Sequence, residues 1–289
     1  MRRTRLTLLT LILGSAHSAF SQNAALQVPS EVSAGAAFVL TTSGQGSATF
    51  YLLGPGSALK KAIQLGQDVP IGESVVTVSG WYQAIACNSS GCVNAAFQVQ
   101  PASPARLSFL LHPSRVPVAS GNAINATAFV FDRYQNTVLK PAKVNFKISL
   151  PSGPSMTRTG ETARGVTWFE MGSTPKQGRL EIVATVGDVN EPRVIQQVAS
   201  DACGLRMTAT PAGRYVKLET DAIRDCAGNP LPDGTIVSFT KTDDTGRSTV
   251  DTPIKKDKAT AQFELSGNAR ISVACGVALG NELSVSGQR

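Results

Sequence analysis

Histidine is almost missing from this chain of 289 residues: there are two, His17 and His112. A Ser-His-Asp or Cys-His centre needs an imidazole beside its nucleophile. It would have to use His112, which sits in Leu-Leu-His-Pro-Ser ahead of a proline, where a lone histidine reads as a surface or edge residue. No Gly-x-Ser-x-Gly elbow, phosphate-binding glycine loop or paired-histidine motif occurs. Aromatic residues make up 6% of the chain, too few to interleave with a basic face as a nucleic-acid surface does. A sustained amphipathic helical period is also missing, and no apolar run approaches the roughly 20 residues of a membrane-crossing helix.

The longest apolar run comes first. In "MRRTRLTLLTLILGSAHSAFSQ", Arg2, Arg3 and Arg5 precede an apolar stretch from Leu6 to Gly14 and then small residues. That order is the pattern of a secretory signal peptide, assigned here to residues 1–21. These residues carry three of the 27 Lys and Arg and none of the 20 Asp and Glu, so the mature chain holds an excess of four positive charges. Spread over the chain, that excess bears on solubility; "LKK" at 59–61 and "KKDK" at 255–258 read as solvated loops.

Gly 26 and Pro 16 are scattered among short runs rich in Val, Ile, Thr and Phe. Such punctuated runs indicate an all-β protein of sandwiches. Three units follow one another: residues 22–101, then 102–200 after the linker-like "PASPA", then 201–289. In the second unit Ile124, Ala126, Ala128 and Val130 fall on one face of a strand, and Asn125 and Thr127 on the other. Units two and three repeat an order of events over about 90 residues: a strand, a loop ("RYQNTVLKPA", "RDCAGNPLPDG"), a strand ("KVNF", "TIVSF"), then "GVTWFEM" or "ATAQFEL". That length suits a self-sufficient sandwich of roughly 100 residues. In the third unit's loop Gly228 supplies positive φ, Pro230 and Pro232 preset φ, and Asp233-Gly234 turns the chain.

The residues Asp132, Asn136, Val138, Pro141, Val144 and Phe146, and the stretch from Asp225 to Phe239, resemble the bacterial immunoglobulin-like domains of the invasin and intimin type. The first unit, with "GWYQAIACNSSGC", looks like a more generic bacterial immunoglobulin-like domain. The resemblance implies tandem immunoglobulin-like β-sandwiches serving as stalks and presentation modules of surface proteins.

Five cysteines in an exported chain point to disulfides with one thiol left over. Cys87 and Cys92 flank "NSSG", a tight turn that a bridge would close. Cys203 and Cys226 lie near the open ends of a hairpin turning at "TPAGR" and are expected to pair, leaving Cys275 as a buried free thiol. The alternative, Cys275 bridged to either of them, stays open at this point. No spacing resembles a zinc site, and the scattered acids Asp132, Asp225 and Asp233 read as turn residues rather than calcium ligands. No metal or cofactor is expected. Trp168 and Trp81 are the candidate ligand contacts, although packing is the simpler reading of Trp81, and an edge or interdomain contact that of Trp168. The expected function is an exported, non-catalytic spacer or protein-binding adhesion module, periplasmic, secreted or at the cell surface. The alternative is a polysaccharide-binding accessory module. The partner is a protein or a surface glycan, without nucleic acid or a membrane span.

Overall fold

The computed structural model describes residues 24–287; the leader expected over residues 1–21 lies outside them. The chain separates into two compact units, Met1–Gln100 and Pro101–Arg289.

The first unit is one sandwich. Its strands are β1 (Ala25–Gln27), β2 (Glu31–Ser33), β3 (Phe38–Ser43), β4 (Ser47–Gly54), β5 (Ser57–Gln64), β6 (Asp68–Ile71), β7 (Gly80–Asn88) and β8 (Gly91–Gln100). One sheet has the order β1-β3-β6 and the other β2-β8-β7-β4-β5. Alternation drives the packing: Phe50 and Leu52 of β4 and Leu40 of β3 are fully buried, and Tyr82 and Phe97 stack between the sheets.

The second unit holds two sandwiches, each with its own apolar core. The earlier one contains β9 (Arg106–His112), β10 (Arg115–Pro117), β11 (Ile124–Phe131), β12 (Lys143–Ser149), β13 (Met156–Glu161), β14 (Val166–Met171), β15 (Gly178–Val186) and β16 (Val189–Val198). Its sheets are β14-β11-β9 and β10-β16-β15-β12-β13. Ile124, Ala126, Ala128 and Val130 all point inward and are fully buried, so the face read from the sequence is the core face. At the cis His112–Pro113 peptide bond the chain leaves one sheet and enters the other.

The later sandwich contains β17 (Ala202–Cys203), β18 (Met207–Ala212), β19 (Tyr215–Thr220), β20 (Arg224–Asp225), β21 (Ile236–Asp243), β22 (Gly246–Pro253), β23 (Thr260–Glu264), β24 (Asn268–Cys275) and β25 (Ala278–Ser286). Its sheets are β18-β19-β23 and β22-β21-β24-β25, with β17 and β20 as a small separate pair. Val237 and Phe239 of β21 are fully buried. The fold class is therefore all-β, and the paired sheets of each sandwich have the immunoglobulin-type layout.

Candidate functional site

The repeated loop after β11 and after β20 is the most elaborate polar structure among the described residues. Asp132 and Asp225 are both buried. The Asp132 Oδ1 accepts the backbone N–H groups of Tyr134 (2.8 Å) and Asn136 (2.9 Å), while its Oδ2 accepts those of Ala102 (2.9 Å) and the Asn136 amide (2.8 Å). Asp225 repeats the pattern: Ala227 (2.9 Å) and Asn229 (2.8 Å) donate to Oδ1, and Ser200 (3.1 Å) and the Asn229 amide (3.0 Å) to Oδ2. The D-x-x-x-N spacing works because a carboxylate can cap the N–H groups two and four residues on, as in an Asx turn. The residue before each Asn must turn through positive φ, and Gln135 (φ 70°) and Gly228 (φ 82°) do so.

Each carboxylate also accepts a bond from the backbone entering its own sandwich, at Ala102 or Ser200. Burial alone would raise the Asp225 pKa; hydrogen bonds from Asn229, Ser200 and Ala227 outweigh it and hold the carboxyl below its ordinary value. With these lone pairs taken by donors, neither carboxylate has the free oxygens that a calcium ligand needs. Asp233 is likewise engaged, accepting from the Lys256 backbone at 3.0 Å. No group of three or more His, Cys, Asp or Glu suited to a metal ion occurs among the described residues.

In the second unit this loop is also a joint. The buried Gln197 side chain accepts from the Thr174 N–H at 2.5 Å and donates to its hydroxyl at 2.9 Å. The Ser173 hydroxyl donates to the Pro117 carbonyl at 2.6 Å and accepts from the Ser120 N–H at 2.9 Å. Held this way on its own sandwich, the 173–177 loop offers two groups to the next. The Asn229 amide donates to the Pro175 carbonyl (2.8 Å), and its oxygen accepts from the Gln177 N–H (3.1 Å). Sequence reading assigned this loop a turn and missed the joint, because spacing along the chain carries no sign of what Asn229 meets across it.

Cys87 is bridged to Cys92 across the β7–β8 hairpin, and Cys203 to Cys226 across β17 and β20. Cys275 is a buried thiol whose pKa is raised, by burial first and then by the charge of Asp201. His112 is exposed at the end of β9.

Both tryptophans face outward, each 67% exposed. For Trp81 this corrects the packing expectation: Tyr82, Ala84 and Ala86 take the inward positions of β7, so period two forces Trp81 out. Trp168 alternates with buried Phe169 on the edge strand β14. Across its sheet it lies opposite Thr127, which is opposite Leu110, itself 56% exposed. The adjacent outward row is Glu170, Asn125 and His112. The outer face of β14-β11-β9 thus presents an indole beside a carboxylate, an amide and an imidazole.

The solved structures that resemble this chain include bacterial adhesins. The Escherichia coli adhesin FdeC superposes with a TM-score of 0.62 at 13% identity, covering 91% of this chain and 96% of its own. The bacterial integrin-binding protein invasin gives 0.53 at 12% identity over 92% of this chain, which spans 59% of the invasin structure. Yersinia pseudotuberculosis InvD gives 0.52 at 12% identity, with 93% and 98% covered. No protein-family model and no curated protein matches the sequence. At these identities the likeness is one of fold, and it is the fold that the invasin-type motifs implied. Among the described residues no helix is long and apolar enough to cross a membrane.

Proposed function

We propose that this is an exported, non-catalytic protein in which tandem immunoglobulin-like sandwiches space and present a protein-binding surface, at the cell surface or in the periplasm. The observation that carries this reading is the joint at Asn229: a spacer needs successive domains held in register, and here one buried side chain bonds its own sandwich and the loop of the one before it. The arginine-led apolar leader supports export, and two disulfides suit an oxidising compartment. The adhesin neighbours support presentation as the role.

Protease treatment of intact cells, followed by blotting for the mature chain beside a periplasmic control, tests location. Loss of the band while the control survives is the expected result for surface presentation. Survival of both identifies a periplasmic scaffold, and a band confined to the cytoplasm refutes export.

Trp168 favours a second reading, a polysaccharide-binding module. An exposed indole can stack on the apolar face of a sugar ring while Glu170, Asn125 and His112 meet its hydroxyls. On a glycan array, Trp168→Ala should then abolish binding while changing unfolding free energy by no more than about 0.5 kcal/mol. An array without any bound glycan rules the second reading out.

A further inference from the structure

The first two sandwiches close the edge of their larger sheet in the same way. In each, a short segment pairs parallel to the last strand: β2 on β8, with Val32 opposite Val99, and β10 on β16, with Val116 opposite Gln197. The pairing extends one bond further in both, from the Ala34 N–H to the Gln100 carbonyl and from the Val118 N–H to the Val198 carbonyl, each 2.8 Å. Both segments carry the sequence Pro-Ser-x-Val, at Pro29–Val32 and Pro113–Val116. Val32 and Val116 are buried, and the core-facing residues of the last strand beside them, Val99 and Ile195, are 1% and 0% exposed.

The third sandwich has no such segment. Its sequence lacks Pro-Ser-x-Val, and β18 turns directly into β19 at Gly213-Arg214, leaving no length of chain to cross to the other sheet. As a result β25 is an outermost strand. Among the described residues, the link there that resembles the missing ladder is a side chain: the Met207 N–H donates to Asn281 Oδ1 at 2.7 Å, and Asn281 Nδ2 donates to the Met207 carbonyl at 3.0 Å. Beyond Asn281 the outer edge of β25 has no backbone partner among the described residues. The core-facing Leu283 and Val285 lie half-buried beneath that open edge, with Leu265 and Ala209 also half-buried against the same core.

We propose that β25 accepts an extended segment of another protein, added parallel to residues 282–287 in the place that β2 and β10 take in the other sandwiches, with a β-branched side chain covering Val285. Main-chain bonds to an open edge supply affinity and an alternate-residue pocket supplies selectivity, which is the logic of strand addition. An uncovered edge is otherwise an aggregation liability. The occupant is a foreign segment rather than a second copy of this chain, because both Pro-Ser-x-Val segments of any copy are already bonded and buried in their own sandwiches. This rests on the protein-binding reading above and names the surface through which it acts. Protease treatment of intact cells tests that reading and a peptide titration tests the open edge, so either can fail alone.

The probe is a synthetic peptide with the sequence of residues 28–35, titrated into the isotope-labelled mature chain and followed by amide chemical shifts and hydrogen exchange. The expected result is shifts and slowed exchange confined to residues 282–287 and the facing part of β18, saturating with Kd below about 1 mM. A peptide with Val32→Asp should bind at least about tenfold more weakly. Val285→Lys in the chain should weaken binding of the native peptide as much, with far-UV circular dichroism and melting temperature showing that the variant is folded. Unchanged β25 amides at millimolar peptide overturn the proposal, as does equal binding of the Asp peptide. Concentration-dependent dimerisation that alone protects β25 overturns the choice of occupant.

Discussion

Truncating Asn229 to alanine removes four contacts at once, and their sum can be worked from the structure. Two join its amide to the Asp225 carboxylate (3.2 and 3.0 Å), one goes to the Pro175 carbonyl (2.8 Å), and one comes from the Gln177 N–H (3.1 Å). Hydrogen bonding to a charged partner contributes about 1.5–3 kcal/mol and each neutral bond about 0.5–1.5 kcal/mol. The two amide contacts with the carboxylate share one N–H group's worth of geometry and count as one. Asp225 keeps three backbone donors, from Ala227, Asn229 and Ser200, which places its loss in the lower half of that range. The expected cost of Asn229→Ala is therefore about 2.5–5 kcal/mol. For a sandwich of this size that corresponds to a fall of the order of 10 °C or more in the melting transition. Calorimetry on the mature chain reads the total, and hydrogen exchange reads its location, since the Gln177 amide loses its acceptor and should exchange faster. A loss under about 1 kcal/mol, or an unchanged Gln177 amide, would refute the assignment of Asn229 as the joint.

Acid should weaken the later sandwich through Asp225 and Asp243, whose carboxyls are both held below their ordinary values. Lys241 first and then Thr245 hold Asp243 at a pKa of about 2, and Lys241 lies 2.7 Å away with only 14% of its side chain exposed. A carboxyl whose folded pKa lies below its unfolded value, roughly 4, adds stability above that value and loses it as pH falls through the folded pKa. Urea unfolding from pH 6 to 2 should therefore show stability falling below about pH 4, with a shallower fall in Asp243→Asn; identical slopes would exclude Asp243 as a contributor. The disulfides differ in what they close. Replacing Cys203 and Cys226 together with alanine, which opens a separation of 23 residues, should cost about 3 kcal/mol in the loop-entropy model. The same change at Cys87 and Cys92, a separation of five, should cost about 2 kcal/mol, and a reversed order in denaturant unfolding would show that native-state strain or residual structure dominates.

How far the sequence reached follows from what each feature depends on. Strand faces depend only on neighbours in the chain, so Ile124, Ala126, Ala128 and Val130 could be assigned inward from alternation, and all are fully buried. The same rule, applied to Tyr82, Ala84 and Ala86 on the inward face of β7, places Trp81 outward, which is where the structure has it. The D-x-x-x-N loops were legible as turns because their capping is local, within four residues of Asp132 and Asp225. What Asn229 does beyond its own loop was not legible, because Pro175 and Gln177 lie more than 50 positions earlier and meet it only after two sandwiches have formed. The open edge of β25 is intermediate. The missing Pro-Ser-x-Val is visible in the sequence, yet it acquires meaning only once β2 and β10 are seen in parallel on their last strands. Local rules thus recover the sheets and turns of this chain, whereas its joint and its acceptor edge depend on comparing one sandwich with the next. An interaction surface made from a departure in one repeat is read most directly by asking which contact the other repeats make and this one leaves open.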